Sequence, residues 1–293
     1  MPCRWRISRY GASVGVGNER VAMPLMILLL IAGIAALYFG ADWMVRGAAR
    51  LQGSLGLSPV VIGLTVVSLG TSAPELFVVL LATLRGSVDI AVGNVLGSNL
   101  ANIGLILGLT ALVQPLLVAE TVVKKEIPVM VLLTLLLWPL IQDGQIDWLD
   151  GRVLTGLVGF YLTWVFHRRK KTPPPLIQGL SGYANLATNR EDRAKKGVGL
   201  LADLGLLAAG ALLLVLGGRA IVESAIFLSR SLGISEMGIG LTVVAVGTSL
   251  PELSTSVMAA AKKQTDIAVG NVIGSNIFNV AGVLGITSIV TPM

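Results

Sequence analysis

Residues 63–108 read GLTVVSLGTSAPELFVVLLATLRGSVDIAVGNVLGSNLANIGLILG, and residues 240–285 read GLTVVAVGTSLPELSTSVMAAAKKQTDIAVGNVIGSNIFNVAGVLG. Laid over each other without a gap at a constant shift of 177, roughly 25 of the 46 positions are identical, a self-match that marks a duplicated structural unit. Each copy carries one carboxylate, Glu75 or Glu252, deep in an apolar stretch. A charge at that depth is costly and points to a functional site. Two such copies in one apolar chain predict the inverted halves of a transporter.

The composition agrees. Of 293 residues, 54% are apolar and 13% charged, with a mean hydropathy of +0.82. A soluble domain carries about 25% charged residues, so a water-exposed surface cannot be assembled from this chain. There are 35 glycines, in keeping with membrane helices whose backbones approach closely. Cys3 is the sole cysteine, which excludes an internal disulfide. The net charge of +6 forms no basic face for nucleic acid. It sits in loops, where it reads as a topology signal.

Eight apolar spans follow, at about 24–44, 58–83, 88–113, 126–141, 148–167, 198–220, 236–260 and 266–290, each near the ~20 residues that cross a bilayer. With the first span running inward, the inner loops hold Arg46, Arg50, Lys124, Lys125, eight basic residues from Arg168 to Lys196, Lys262 and Lys263. The outer segments hold Arg85, Arg152, Arg219 and Arg230. This asymmetry places the central loop in the cytoplasm. Five spans precede that loop. An odd number inverts the second half relative to the first.

The domain reading is residues 23–167 as the first half, 168–197 as a cytoplasmic linker containing Pro173-Pro174-Pro175, and 198–293 as the second half. Residues 1–22 carry Arg4, Arg6, Arg9 and Arg20 on the outer side and lack a clean apolar region. They are expected to be a disordered extension or to follow a start codon set too early. The first half continues past its repeat with two spans, whereas the second stops at Met293. The expectation is therefore an all-α integral membrane protein with eight helices of an expected ten (5+5) and a truncated C-terminus. One flank of span 266–290, including Gly270, Gly274, Gly282 and Gly285, should then face lipid.

The chemistry lies in Gly70-Thr71-Ser72-Ala73-Pro74-Glu75 and its copy Gly247-Thr248-Ser249-Leu250-Pro251-Glu252. Proline lacks an N–H and crowds the preceding turn, which frees carbonyls around Gly70 and Thr71. Thr71 and Glu75 are four apart and are expected on one helix face. Hydroxyl, carboxylate and carbonyl oxygens suit Na⁺ or Ca²⁺ rather than soft metals. In the next helix, Ser98 and Asn102, and likewise Ser275 and Asn279, are spaced to face the same cavity. Asn94, Asn99, Asn271 and Asn276 are read as braces or bridges between helices. Gly93, Gly97, Gly270 and Gly274 are read as packing residues, and Asp89 and Asp266 as helix N-terminal charges.

GTSxPE followed by GNxxGSNxxN, present twice in inverted halves, resembles the α-repeats of the cation/calcium exchanger superfamily, and within it the prokaryotic sodium/calcium exchangers. The similarity spans about 24–292. It implies a ten-helix fold and ion sites built from Thr71, Ser72, Glu75, Ser98 and Asn102 with Thr248, Ser249, Glu252, Ser275 and Asn279. It further implies use of the backbone carbonyls of Ser68 and Ala245, and exchange of three Na⁺ for one Ca²⁺. Asparagine at both 102 and 279 resembles the potassium-independent members.

Two carboxylates balance one Ca²⁺ or share several Na⁺, and the two loadings compete for the same oxygens. Alternating access is expected from the first and sixth spans sliding past the site, with Gly33, Gly40, Gly210, Gly217 and Gly218 permitting close contact. No cofactor, obligatory protein partner or nucleic acid is implied; the ions are substrates and the bilayer is the solvent. The alternatives are a Ca²⁺(cation)/H⁺ antiporter of the same fold, an ion channel and an intramembrane enzyme. For the last, only His167 at a span end is available as a histidine.

Overall fold

The apolar runs form helices in the computed structural model, which describes residues 16–167, 198–233 and 245–293. Every regular element among them is helical: α1 (Val16–Leu55), α2 (Pro59–Thr71), α3 (Ala73–Leu84), α4 (Val88–Val113), α5 (Ile127–Leu140), α6 (Trp148–His167), α7 (Val198–Ser231), α8 (Leu250–Ala261) and α9 (Thr265–Val290). The linker 168–197, residues 1–15 and the first part of the seventh span, 236–244, lie outside the described residues. Residues 16–22 form the upstream end of α1.

Four of these helices, α1, α4, α7 and α9, are individually long and apolar enough to cross a membrane. The bent pair α2–α3 makes a fifth span. The other expected spans are shorter, more polar or incompletely described. α5 has only 14 residues, although a π-helical turn, Val122–Glu126, lengthens it.

Local signals set the boundaries. α1 ends before Gly56 at φ +66, a left-handed conformation that glycine adopts without a Cβ penalty. Ser58 then caps α2, accepting from the Val61 N–H at 3.3 Å, and Pro59 occupies the first turn, where a missing N–H costs nothing. The α3–α4 turn uses Gly86 at φ +75. Its repeat equivalent, Lys263, takes φ +60 in the α8–α9 turn, so the second copy keeps the turn at a cost of about 1 kcal/mol.

Glycines decide the packing. A Cβ built on Gly217 would lie 2.8 Å from the Gly33 carbonyl, and one on Gly210 would lie 2.7 Å from the Met44 nitrogen and 2.9 Å from the Gly40 carbonyl. Gly33 meets Gly217 and Gly40 meets Gly210, so α1 and α7 run antiparallel, as inverted halves require. α9 rests on α2 through Gly270 and Gly63, and on α6 through Gly285, whose carbonyl would lie 2.8 Å from a Cβ on Gly151.

This corrects one expectation. The span 266–290 has no lipid-facing glycine flank: Gly270, Gly274, Gly282 and Gly285 are all buried, and 83% of the α9 window is covered. α2, α5 and α6 enclose it. The open face belongs to its repeat counterpart α4, only 33% covered. There, Gly93, Gly97, Gly104 and Gly108 have no described atom within contact distance.

One charged contact ties helices at one end of the bundle. Asp42 on α1 is bonded by Lys262 from the α8–α9 turn and by Arg46 Nε at 2.8 Å. Deeper in, Tyr161 on α6 donates to the buried Glu126 at 2.7 Å. The first joins elements far apart in sequence and the second joins consecutive spans, and neither was apparent from periodicity.

Candidate ion-binding site

The chain breaks at Ser72 and at Ser249, and the site is built on the two breaks. Ser72 has φ −86 and ψ 5, and Ser249 has φ −91 and ψ 6. A ψ near zero stops helix propagation. Pro74 and Pro251 stand in the first turns of the helices that follow, where proline is tolerated. α2 and α3 meet at 43°. This revises the expectation that Thr71 and Glu75 share one helix face. Thr71 closes α2, whereas Glu75 lies in the first turn of α3. Glu252 lies equivalently in the first turn of α8. The positive end of each helix dipole therefore faces a carboxylate, and discontinuous helices of this kind hold ions in transporters.

Both glutamates are completely buried. The two repeats interlock around them. Ser72 Oγ donates to Glu252 Oε1 at 2.9 Å, from one repeat to the other. Thr71 Oγ1 donates to Asn271 Oδ1 at 3.1 Å and lies 3.4 Å from Ser275 Oγ, both on α9. Across α4 and α9, Asn102 Nδ2 donates to Asn276 Oδ1 at 3.0 Å, and Asn279 Nδ2 donates to Asn99 Oδ1 at 3.1 Å. The bridging expected of Asn99 and Asn276 is thus observed. Asn271 braces within its own half by donating to Ser256 Oγ at 3.0 Å.

What is left over defines the chemistry. Both oxygens of Glu75, Oε2 of Glu252, the hydroxyls of Ser98 and Ser249, and Oδ1 of Asn102 and of Asn279 are buried without a hydrogen-bond partner. Buried polar atoms are normally paired. These seven atoms belong to the ligand set read from the motif, and all are oxygens. Among the described residues no cluster of three acidic, histidine or cysteine side chains exists. The arrangement offers two charges supplemented by hydroxyl and amide oxygens, which is donor chemistry for Na⁺ and Ca²⁺.

Not every expected ligand is equally open. The Ser68 carbonyl already accepts from the Ser72 N–H at 2.9 Å, and Thr71 Oγ1, whose single proton points to Asn271 Oδ1 at 3.1 Å, lies 3.3 Å from it. Ala245 opens a three-residue helical turn just before the second break. Thr248 stands in the break beside Ser249. π-Helical segments at Gly63–Val67, Asn102–Ile106 and Phe278–Val283 flank the ligands. Such segments recur at functional sites, and no residue pattern in the motif announced them.

The family model described as sodium/calcium exchanger protein matches residues 25–167 and 203–293. A putative antiporter, CaxA, from Alkalimonas amylolytica is 38% identical over 272 residues, covering 92% of this chain and 82% of that protein. The sodium/calcium exchanger MaX1 from Methanosarcina acetivorans is 33% identical, covering 91% of this chain and 83% of that one. Among solved structures, the sodium-calcium exchanger NCX_Mj soaked in Na⁺ without Ca²⁺ superimposes with a TM-score of 0.76 at 32% identity, covering 91% and 83% of the two chains.

Proposed function

The chain belongs to the sodium/calcium exchanger family, and from that membership we propose a secondary active antiporter that exchanges Ca²⁺ for Na⁺ by alternating access, with the ions held by Glu75 and Glu252. The observation that carries this reading is the pair of fully buried glutamates at the starts of α3 and α8, surrounded by buried oxygens that lack protein partners. One Ca²⁺ neutralises both carboxylates. Several Na⁺ spread over the carboxylates and the hydroxyl and amide oxygens do the same. Because both loadings use one set of oxygens, they exclude each other. An empty site leaves two like charges in a low dielectric, which disfavours crossing without cargo. That combination is what coupling requires.

Thr71, Ser72, Ser98, Asn102, Thr248, Ser249, Ser275 and Asn279 complete the proposed ligand set, with the Ala245 carbonyl. The Ser68 carbonyl belongs to the same set and also holds the Ser72 N–H. The exchanger sits in a prokaryotic inner membrane with inverted repeats and its central loop in the cytoplasm.

Counter-ion-dependent Ca²⁺ flux in proteoliposomes tests the reading. Uptake should require internal Na⁺ and proceed without K⁺. Asn279→Asp, which adds a charge, should shift the Na⁺/Ca²⁺ competition several-fold. Uptake driven by a proton gradient in Na⁺-free vesicles would instead establish the proton antiporter, and uptake without any counter-ion would establish a channel.

Topology has its own measurement. Single cysteines at positions 170–195, in a background lacking Cys3, should react with a membrane-impermeant reagent only after permeabilisation. A cysteine at Asp143 should react in intact cells. The reverse pattern would invert the orientation while leaving the repeat untouched.

A further inference from the structure

Asparagine is an ambiguous ion ligand. One end of its amide is an oxygen and the other is an NH₂ group that repels a cation. Asn102 and Asn279 must therefore present Oδ1, and the fold contains a device that enforces this. We propose that Asn276 and Asn99, one from each repeat, are positioning residues that lock the amides of Asn102 and Asn279 with oxygen facing the ions.

Both locks are anchored on atoms that can only accept. Asn99 Nδ2 donates to the backbone carbonyl of Asn276 at 3.2 Å. A carbonyl has no proton to give, so Asn99 cannot turn over without setting two acceptors against each other. Its Oδ1 accordingly faces Asn279 and accepts Asn279 Nδ2 at 3.1 Å. Asn279 Oδ1 is left buried and without a hydrogen-bond partner. The second lock runs in the opposite sense. Asn276 Nδ2 lies 3.5 Å from the thioether of Met130 on α5, again an acceptor and not a donor. Its Oδ1 then accepts Asn102 Nδ2 at 3.0 Å, and Asn102 Oδ1 is the atom left over. All four asparagines are buried, so water offers no alternative partner. Each repeat thus orients the other's ligand, and Met130 extends the chain of donors to a helix outside the duplicated segment.

The inference rests on Asn102 and Asn279 binding the transported ions, and the test separates the two claims. Equilibrium binding of radiolabelled Ca²⁺ to the purified full chain in detergent is compared for wild type, Asn276→Ala, Asn102→Asp and the double variant. Aspartate presents oxygen whichever way it turns. Asn276→Ala should weaken Ca²⁺ binding about tenfold when residue 102 is asparagine, and less than about twofold when it is aspartate. An equal loss in both backgrounds would reduce Asn276 to a brace and overturn the proposal. Asn99→Ala, measured with asparagine or aspartate at 279, repeats the test through the other lock. If the alanine variants of both locks fail to fold, the asparagines are structural and the proposal falls. A wild-type chain that binds no Ca²⁺ would sink the exchanger reading instead.

Discussion

Glu75→Gln and Glu252→Gln should each lower Ca²⁺ exchange by about 100-fold or more, a loss of about 2.7 kcal/mol of ion binding, while leaving the fold intact. Glutamine has nearly the volume of glutamate, so the packing around these fully buried positions is preserved and only charge is removed. One remaining carboxylate cannot neutralise a divalent ion in a low dielectric. Stability should move the other way. Both Glu75 oxygens and one Glu252 oxygen lack partners, and a buried unpaired charge is destabilising. In ion-free detergent the Gln variants should therefore unfold at or above the wild-type temperature. They should also lose the rise that Ca²⁺ produces in wild type, worth about 2.7 kcal/mol at 100-fold excess over Kd. The two positions are not equivalent. Ser72 donates to Glu252, whereas Glu75 has no such donor, so Ser72→Ala should weaken binding through Glu252 alone. Wild-type flux in either Gln variant would show that the two glutamates do not share an ion.

Much of this site was legible because the duplication supplies its own control. A single GTSxPE motif is compatible with a kinked helix and a glutamate satisfied by a neighbour. Two of them in inverted halves are not, and both glutamates are fully buried. Of the hydroxyl and amide positions that the family resemblance named, Ser98, Ser249, Asn102 and Asn279 keep an unpaired oxygen, whereas Thr71 and Ser72 are hydrogen-bonded. Helix identity followed from hydropathy, since long apolar runs in α1, α4, α7 and α9 admit few other structures.

Other features were not legible, for identifiable reasons. The break at Ser72 separates Thr71 from Glu75, but a proline in the first turn of a new helix and a proline kinking a continuous one read alike in sequence. Periodicity cannot report which helix encloses which. The glycine stripes of α4 and α9 are nearly identical in sequence, yet α9 is enclosed by α2, α5 and α6 while α4 is open. The contacts Asp42–Lys262 and Tyr161–Glu126 depend on tertiary proximity that no local rule encodes. The locking role of Asn99 and Asn276 needed the directions of individual hydrogen bonds.

Gly210→Val should abolish transport by preventing α1 and α7 from packing, whereas Gly70→Ala should slow transport without unfolding the protein. The difference lies in what each new Cβ meets. At Gly210 it would lie 2.7 Å from the Met44 nitrogen, 2.9 Å from the Gly40 carbonyl and 3.2 Å from the Met44 Cα. Those are backbone atoms of α1, so relief requires moving a helix, at a cost of at least about 1–3 kcal/mol. At Gly70 the Cβ meets Met44 Cε at 2.9 Å, the tip of a flexible side chain that can turn aside. The same contrast recurs around the axis. Gly217 meets the Gly33 carbonyl and the Leu37 nitrogen, and Gly33 meets the Gly217 carbonyl at 2.9 Å beside Ile221 Cγ1 at 2.8 Å, while Gly247, the repeat equivalent of Gly70, meets Val222 side-chain atoms. α1 and α7 are therefore joined backbone to backbone, and they touch the breaks at Gly70 and Gly247 through side-chain tips. Close backbone packing is the main cohesive force between membrane helices. If these helices slide, they slide as one body, and the moving surface is the one over the breaks. Gly205 on α7 has no described atom within contact distance, so Gly205→Ala is the control and should be neutral or stabilising by up to about 1 kcal/mol. Thermal unfolding in detergent and Ca²⁺ flux, measured on all three variants, separate the outcomes. A Gly210→Val protein that unfolds and transports like Gly205→Ala would mean that the α1–α7 contact is not the rigid one.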